Sequence, residues 1–311
     1  MLKALLRLVR LPNLVIVALT QYLLYYVLLL PAFQAKGITP ALDDAHFSLL
    51  VVVTLLITAG GYVINDIVDF RIDLINRPDK VVINRQIRVQ SAYWLYFCFN
   101  LLGFLISLYL SFHIECIPLA NLFPLAVILL FVYSTYLKRR AILGNLLVAL
   151  FCAGVAGIVW FAERAGFQGL VAAAPELAGR IGSIFSWYMA FAFLSTMFRE
   201  VIKDMEDVQG DVGANCRTIP ILWGIRVARG VAAAFGIGLA VFLLYFPLAS
   251  PELFTELSLF FLIFGILLPL FLALIWVFRA REKEQYHQLS QLAKLVMLGG
   301  LALLLFLAVN G

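Results

Sequence analysis

Residues 47–73 read FSLLVVVTLLITAGGYVI followed by NDIVDFRID. The first part, Phe47 to Ile64, carries no charge and is mostly apolar. The second, Asn65-Asp66-Ile67-Val68-Asp69-Phe70-Arg71-Ile72-Asp73, places three carboxylates directly behind it. A run of that length approaches the roughly 20 residues a helix needs to cross the hydrocarbon of a bilayer. A lone segment there must satisfy its own backbone hydrogen bonds, so it has to be a helix.

Comparable runs occur at residues 13–31, 91–112, 116–136, 141–162, 181–198, 227–247, 254–278 and 289–309. Proline and glycine inside them are tolerable because neighbouring helices re-satisfy the freed backbone groups. Composition agrees: 64% of the 311 residues are hydrophobic and 13% charged, against about 25% charged in a soluble chain. No single soluble core would hide this much apolar surface. The expected class is all-α: a polytopic membrane protein of about nine transmembrane helices, forming a single domain over residues 1–311. The short basic start, residues 1–10, precedes an apolar stretch that resembles a signal peptide. No small-x-small cleavage site followed by a soluble domain appears, so this stretch is taken as the first span.

With nine spans, all but three of the 23 lysines and arginines fall on one side; Lys36, Arg164 and Arg180 fall on the other. The positive-inside rule then puts the amino terminus in the cytoplasm and the carboxyl terminus across the membrane, the expected location being the cell inner membrane. The formal net charge of +5 is therefore first a topology signal and gives no reason to expect a nucleic-acid partner. The four cysteines show no CxxC or zinc spacing, and the three histidines are scattered, so neither disulfides nor a histidine metal site is expected.

The acids after the second run have a counterpart after the sixth: Lys203-Asp204-Met205-Glu206-Asp207-Val208-Gln209-Gly210-Asp211. Both stretches contain D-x-x-D-x-x-x-D. On a continuing helix, positions i, i+3 and i+7 lie within roughly 60° of one another. Asp66, Asp69 and Asp73 then share a face with Asn65 at its edge, and Asp204, Asp207 and Asp211 share another, joined by Glu200 from a turn earlier. Gly210 is a candidate stop before Asp211. Arg71 falls on the opposite face from the first row. Like charges at helical spacing repel, and a single such cluster is ordinarily a solvated surface. Two with identical spacing, each behind an apolar helix, call for another reason. Hard divalent cations supply one, since magnesium takes oxygen ligands and binds through carboxylates plus substrate phosphates.

The second and sixth runs point the same way. Two four-helix halves plus a ninth helix are therefore expected, related by an axis along the membrane normal, with the acid rows meeting at the cytoplasmic mouth of an apolar-walled cavity. Arg77, Lys80, Arg85, Arg88, Lys138, Arg139, Arg140, Lys203 and Arg217 crowd that side. As a group they suit phosphate oxygens. Lys203 holds the helical place that Asn65 holds in the first row.

These residues resemble the UbiA superfamily of membrane prenyltransferases. Its first signature is matched by Asn65-Asp66-x-x-Asp69-x-x-x-Asp73 with Asn76-Arg77-Pro78, and its second by Lys203-Asp204-x-x-Asp207-x-x-Gly210-Asp211. A third feature is matched by Tyr133-Ser134-x-x-Leu137-Lys138-Arg139. The resemblance implies a Mg2+-dependent transferase that joins an isoprenoid diphosphate to a lipophilic acceptor in the bilayer, with no obligate protein partner. It makes Asp66, Asp69, Asp73, Asp204, Asp207 and Asp211 the metal-binding, catalytic carboxylates. Asn65, Arg77, Lys138, Arg139 and Lys203 become the diphosphate contacts. Residues Val81-Val82-Ile83-Asn84-Arg85 depart from the basic-Pro-aliphatic-Pro stretch of many members, so contacts of that loop do not carry over.

The second signature, with Gly213-Ala214 and Thr218-Ile219-Pro220 behind it, is similar to the branch that transfers geranylgeranyl to geranylgeranylglyceryl phosphate. Homogentisate-type enzymes share much of it, which leaves an aromatic acceptor of quinone synthesis (hydroxybenzoate, dihydroxynaphthoate or homogentisate) as the alternative. A transporter is the reading from another class. Transporters place ionisable groups near the midplane, whereas these spans are nearly free of charge.

Overall fold

Each apolar run becomes a helix in the computed structural model, which describes residues 2–308. Among the described residues nine helices are long and apolar enough to cross a membrane. They are Leu11–Ala35, Asp44–Val68, Val89–His113, Ile117–Arg139, Leu143–Ala162, Pro175–Glu206, Ile219–Ala249, Glu256–Arg279 and Lys283–Leu307, here called the first to ninth spans. The protein is an integral membrane protein with no β-strand among these residues. Val309, the expected end of the last run, lies outside them, as do Met1 and residues 310–311.

Several helices exceed their apolar runs. The sixth, expected over 181–198, continues to Glu206 because Arg199, Glu200 and Lys203 pair with one another instead of ending it. In the first and eighth spans the helix widens to π geometry at Leu23–Leu29 and Leu262–Leu267. Both segments end just before a proline, Pro31 and Pro269. A proline ring cannot sit against the carbonyl four residues back, and one wider turn relieves the clash. Two short helices flank the bundle: Leu2–Leu8 before the first span, and Arg164–Ala173 between the fifth and sixth.

The second span packs along the third, and the sixth along the fifth, seventh and ninth. The second, sixth and ninth are the most buried of the nine. Phe185, Phe198, Val201, Ile202 and Met205 on the sixth join Phe47, Leu50 and Val53 on the second in one core. The third span instead turns Trp94, Phe97, Leu101, Leu105, Tyr109 and Phe112 outward, a stripe suited to lipid. Two of these three interior helices, the second and sixth, end in the carboxylate rows.

Candidate active site at one mouth of the bundle

The two acid motifs bend the chain in the same way. The second span ends at Val68, Asp69 takes φ −85°, ψ −1°, and a new helix runs over Phe70–Asn76. The sixth ends at Glu206, Asp207 takes φ −96°, ψ 3°, and a new helix runs over Val208–Gly213. The four-residue hydrogen-bond rhythm passes through both bends. Asp69 N–H donates to the Asn65 carbonyl and Asp73 N–H to that of Asp69, each at 2.8 Å; Asp207 donates to Lys203 at 2.9 Å and Asp211 to Asp207 at 3.1 Å. Helical phase is therefore retained down each row.

Gly210 does not stop the helix before Asp211; it lies within it. Its role is close approach. The buried side chain of Asn76, from the end of the first motif, lies on it: Oδ1 accepts the Gly210 N–H at 2.9 Å and Nδ2 donates to the Asp207 carbonyl at 3.1 Å. A β-carbon at 210 would meet that amide at 2.3–2.6 Å. Arg77, next in sequence, donates through Nη2 to Asp207 Oδ2 at 2.8 Å and to Glu206 Oε1 at 3.3 Å. Burial works against the Arg77 charge, but Asp207 and Glu206 outweigh it and hold its pKa up. Lys283 at the start of the ninth span donates to the Asn76 carbonyl at 2.6 Å. The two motifs are thus fastened to each other through residues that follow the first one.

Most of the other acids meet a basic or amide group. Arg10 reaches Asp66 at 2.9 Å, and its guanidinium lies 4.8 Å over the Tyr62 ring. Burial opposes the Arg10 charge, while Asp66 holds its pKa up. Lys138 pairs with Asp69 and also donates to Asn65 Oδ1 at 3.3 Å. It arrives on a tight turn against the fifth span, where Gly144 leaves room: a β-carbon there would lie 2.7 Å from the Lys138 Cα. Asn145 donates to Asp204 at 2.8 Å.

Asp69 Oδ1 is buried without a hydrogen-bond partner among the described residues. Asp73 is pushed up to about 6 by burial and then by Asp66, with Asp207 also contributing. Asp211 is pushed up to about 6 by burial and then by Asp207. The Asn76–Gly210 and Arg77–Asp207 contacts bring the two rows together. An orphaned buried carboxylate oxygen, two carboxyls that resist ionisation and an all-oxygen donor set fit a hard divalent cation such as magnesium.

The remaining candidates are less direct. Lys203 donates to Glu200, at 3.2 Å to Oε2, instead of to the acid row. Arg139 uses its carbonyl to accept the Arg217 N–H at 2.8 Å, while its buried Nε has no hydrogen-bond partner among the described residues. Arg10, Asn76, Asn145 and Glu206 were not singled out as site residues by the sequence. Glu206 accepts from His287 Nδ1 at 2.9 Å as well as from Arg77. Arg10 and His287 looked like topology charge and scatter because nothing local reveals their partners. The departing loop turns apolar residues inward: Val81, Val82 and Ile83 are buried, and Val82 and Ile83 pack with Ala4, Leu8, Val63, Ile67 and Ala92.

The histidines are less scattered in space than in sequence. His46 and His113 stack at 3.6 Å at the far end of the second and third spans, beside Asp43. His46 Nε2 hydrogen-bonds the Tyr109 hydroxyl at 2.9 Å and its Nδ1 lies 2.8 Å from Asp43 Oδ1, and Asp43 caps the second span.

The family model described as the UbiA prenyltransferase family matches residues 15–309. A digeranylgeranylglyceryl phosphate synthase of Methanosphaera stadtmanae is 31% identical over 245 residues, 78% of this chain and 80% of that one. A solved structure described as digeranylgeranylglyceryl phosphate synthase in membranes aligns with TM-score 0.65 at 21% identity, covering 98% of each chain. A UbiA homolog from Archaeoglobus fulgidus, solved with GPP and Mg2+, aligns with TM-score 0.53 at 18% identity, covering 97% of this chain and 99% of that one. The two structural likenesses speak to the fold; the family match and the 31% relative speak to descent. The chain belongs to the UbiA prenyltransferase family.

Proposed function

We propose that this protein transfers a geranylgeranyl group from its diphosphate to geranylgeranylglyceryl phosphate, with Mg2+, at a site facing the cytoplasm. The observation that carries the proposal is the fastening of the two carboxylate rows through Asn76, Gly210, Arg77 and Asp207. Two rows held face to face form a hard-oxygen cradle between the two halves of the chain. The A. fulgidus homolog carries GPP and Mg2+, and the relative that shares 80% of its length with this chain is named for the glyceryl acceptor. The cytoplasmic assignment rests on the basic residues that surround this mouth.

In this reading Asp66, Asp69, Asp73, Asp204, Asp207 and Asp211 are the magnesium-binding carboxylates. When bound, magnesium supplies Lewis-acid charge to the leaving diphosphate. The chain's own contribution is electrostatic and steric. Lys138 and Arg77 stand at the carboxylates, where charge accumulates on the leaving group, and Asn65 orients Lys138. Preorganised cations at such a place stabilise the transition state without reorganising. Arg139 completes the basic rim, while Lys203 is held on Glu200. Protein walls must keep water from a cation-like allylic centre.

The test uses purified protein in detergent with magnesium and labelled geranylgeranyl diphosphate. One reaction receives geranylgeranylglyceryl phosphate, and others receive hydroxybenzoate, dihydroxynaphthoate or homogentisate. Label on the glyceryl lipid alone supports the proposal. Label on an aromatic ring keeps the site and replaces the acceptor.

A further inference from the structure

Beyond the carboxylate rows, on the bilayer side of Asp204, the sixth span carries two cations that share one acid. Arg199 Nη1 donates to Glu200 Oε1 at 2.8 Å, and Lys203 Nζ to Glu200 Oε2 at 3.2 Å. Glu200 is 8% exposed. Arg199 Nε is buried with no hydrogen-bond partner among the described residues.

The ninth span adds a third cation. Lys294 Nζ donates to Asn13 Oδ1 of the first span at 3.0 Å. That partner is a neutral amide, and no carboxylate among the described residues pairs with Lys294. Asn13 in turn donates to the Tyr62 hydroxyl at 3.4 Å, and over the Tyr62 ring lies Arg10. Arg199 is near enough to Lys294 for the two charges to repel, and Arg10 is near enough to Glu200 to attract it. Arg10, Arg199, Lys203 and Lys294 thus gather from the start of the first span and from the sixth and ninth spans; the first three form ion pairs, with Asp66 or Glu200, and Lys294 forms none among the described residues.

Charges withdrawn into a membrane protein are costly unless matched. Here Arg199 keeps a buried Nε with no partner among the described residues and Lys294 has only a neutral amide, so both retain donors and charge for an anion. The donor diphosphate has its own counter-charges in Lys138 and Arg77, beside the carboxylate rows. Arg199 lies eight residues before Asp207 on a continuous helix, roughly 12 Å at 1.5 Å per residue. Arg199 is therefore set apart from the bend that holds Asp207 and Arg77. A phosphate monoester at neutral pH carries close to two negative charges; an aromatic acid carries one carboxylate.

We infer that Arg199, Lys203 and Lys294 form the subsite for the phosphate of a glyceryl phosphate acceptor. This inference rests on the acceptor proposed above. It makes Lys294, on the ninth span, a specificity-determining residue: it selects phosphorylated over unphosphorylated glyceryl lipid, while the carboxylate rows select the diphosphate donor.

The experiment compares geranylgeranylglyceryl phosphate with geranylgeranylglycerol as acceptor at saturating labelled donor, using the whole protein in detergent. The wild type is expected to prefer the phosphorylated lipid. Lys294→Gln should raise the KM for that lipid by about tenfold or more, leave the KM for the prenyl diphosphate in place, and collapse the preference between the two acceptors. Lys294→Arg should restore it. Lys294→Gln breaks only a bond to a neutral amide, so its thermal midpoint should stay near wild type; Arg199→Gln tests the same point with Glu200 still paired to Lys203. Unchanged acceptor KM and preference in both glutamine variants overturns the subsite. A raised donor KM with the acceptor KM unmoved also overturns it, assigning the cations to the diphosphate. Wild-type transfer to an aromatic acid and none to the glyceryl lipid overturns the acceptor assignment itself, and the subsite with it.

Discussion

The side-chain amide of Asn76 lies directly on the backbone of Gly210, accepting its N–H at 2.9 Å and donating to the Asp207 carbonyl at 3.1 Å. One buried residue from the first half of the chain therefore sets the position of the second carboxylate row. A cation held by both rows needs them at a fixed separation, and this contact provides it.

Gly210→Ala should break the register. The added methyl would meet the Asn76 amide at 2.3–2.6 Å and displace both of its hydrogen bonds. Two such bonds are worth about 2–3 kcal/mol together, so kcat should fall by about 30- to 100-fold or more, with helical content by circular dichroism unchanged. Wild-type kcat in this variant would contradict the role given to the contact.

Asp69→Asn and Asp207→Asn should each abolish turnover while the protein remains folded in detergent, read as a monodisperse elution peak. Each substitution keeps the shape and removes one charge from a row, Asp69 losing its ion pair with Lys138 and Asp207 that with Arg77. Wild-type turnover by either variant would remove these residues from the site.

Arg77→Lys should cost about tenfold in kcat/KM. Arg77 Nη2 reaches both Asp207 and Glu206, and a lysine ammonium, compact, strongly hydrated and on a flexible stem, does not hold that place as a planar guanidinium does. Steady-state kinetics with the prenyl diphosphate varied would check this; equal constants for the two side chains would show that the guanidinium is not required.

Magnesium binding should weaken as pH falls through about 6. Asp73 and Asp211 are both raised from 3.8 to about 6, first by burial and then by neighbouring carboxylates. Between those values the folded chain holds more protons than the unfolded one. Without divalent cation, stability from these groups is therefore fully present below about pH 3.8 and declines as pH rises through about 6. Magnesium offsets the repulsion that appears above that window. Thermal unfolding in detergent should show a magnesium-induced rise in Tm at pH 7.5 that shrinks strongly at pH 5. An equal rise at both values would mean that these carboxyls do not meet the cation.

The carboxylate rows were legible in the sequence because D-x-x-D-x-x-x-D is a local property: helical phase alone aligns it, and the phase survives the bends at Asp69 and Asp207. The spans were legible because the bilayer imposes a length. Their ends were less so. Charge normally marks a helix leaving the membrane, yet Arg199 and Lys203 pair with Glu200 between them and stay within the sixth helix. Gly210 looked like a stop because nothing near it in sequence announces the approach of Asn76. Arg10 and Asn145 were invisible for the same reason: their partners, Asp66 and Asp204, are delivered by packing between helices.

The most direct test of the central claim is label transfer before and after metal removal. Purified protein is treated with EDTA, mixed with labelled geranylgeranyl diphosphate and geranylgeranylglyceryl phosphate, and then given magnesium. The account predicts no labelled lipid product before the addition and rapid product formation after it. Undiminished transfer in the presence of EDTA would contradict it, because the paired carboxylate rows would then have no cation to hold.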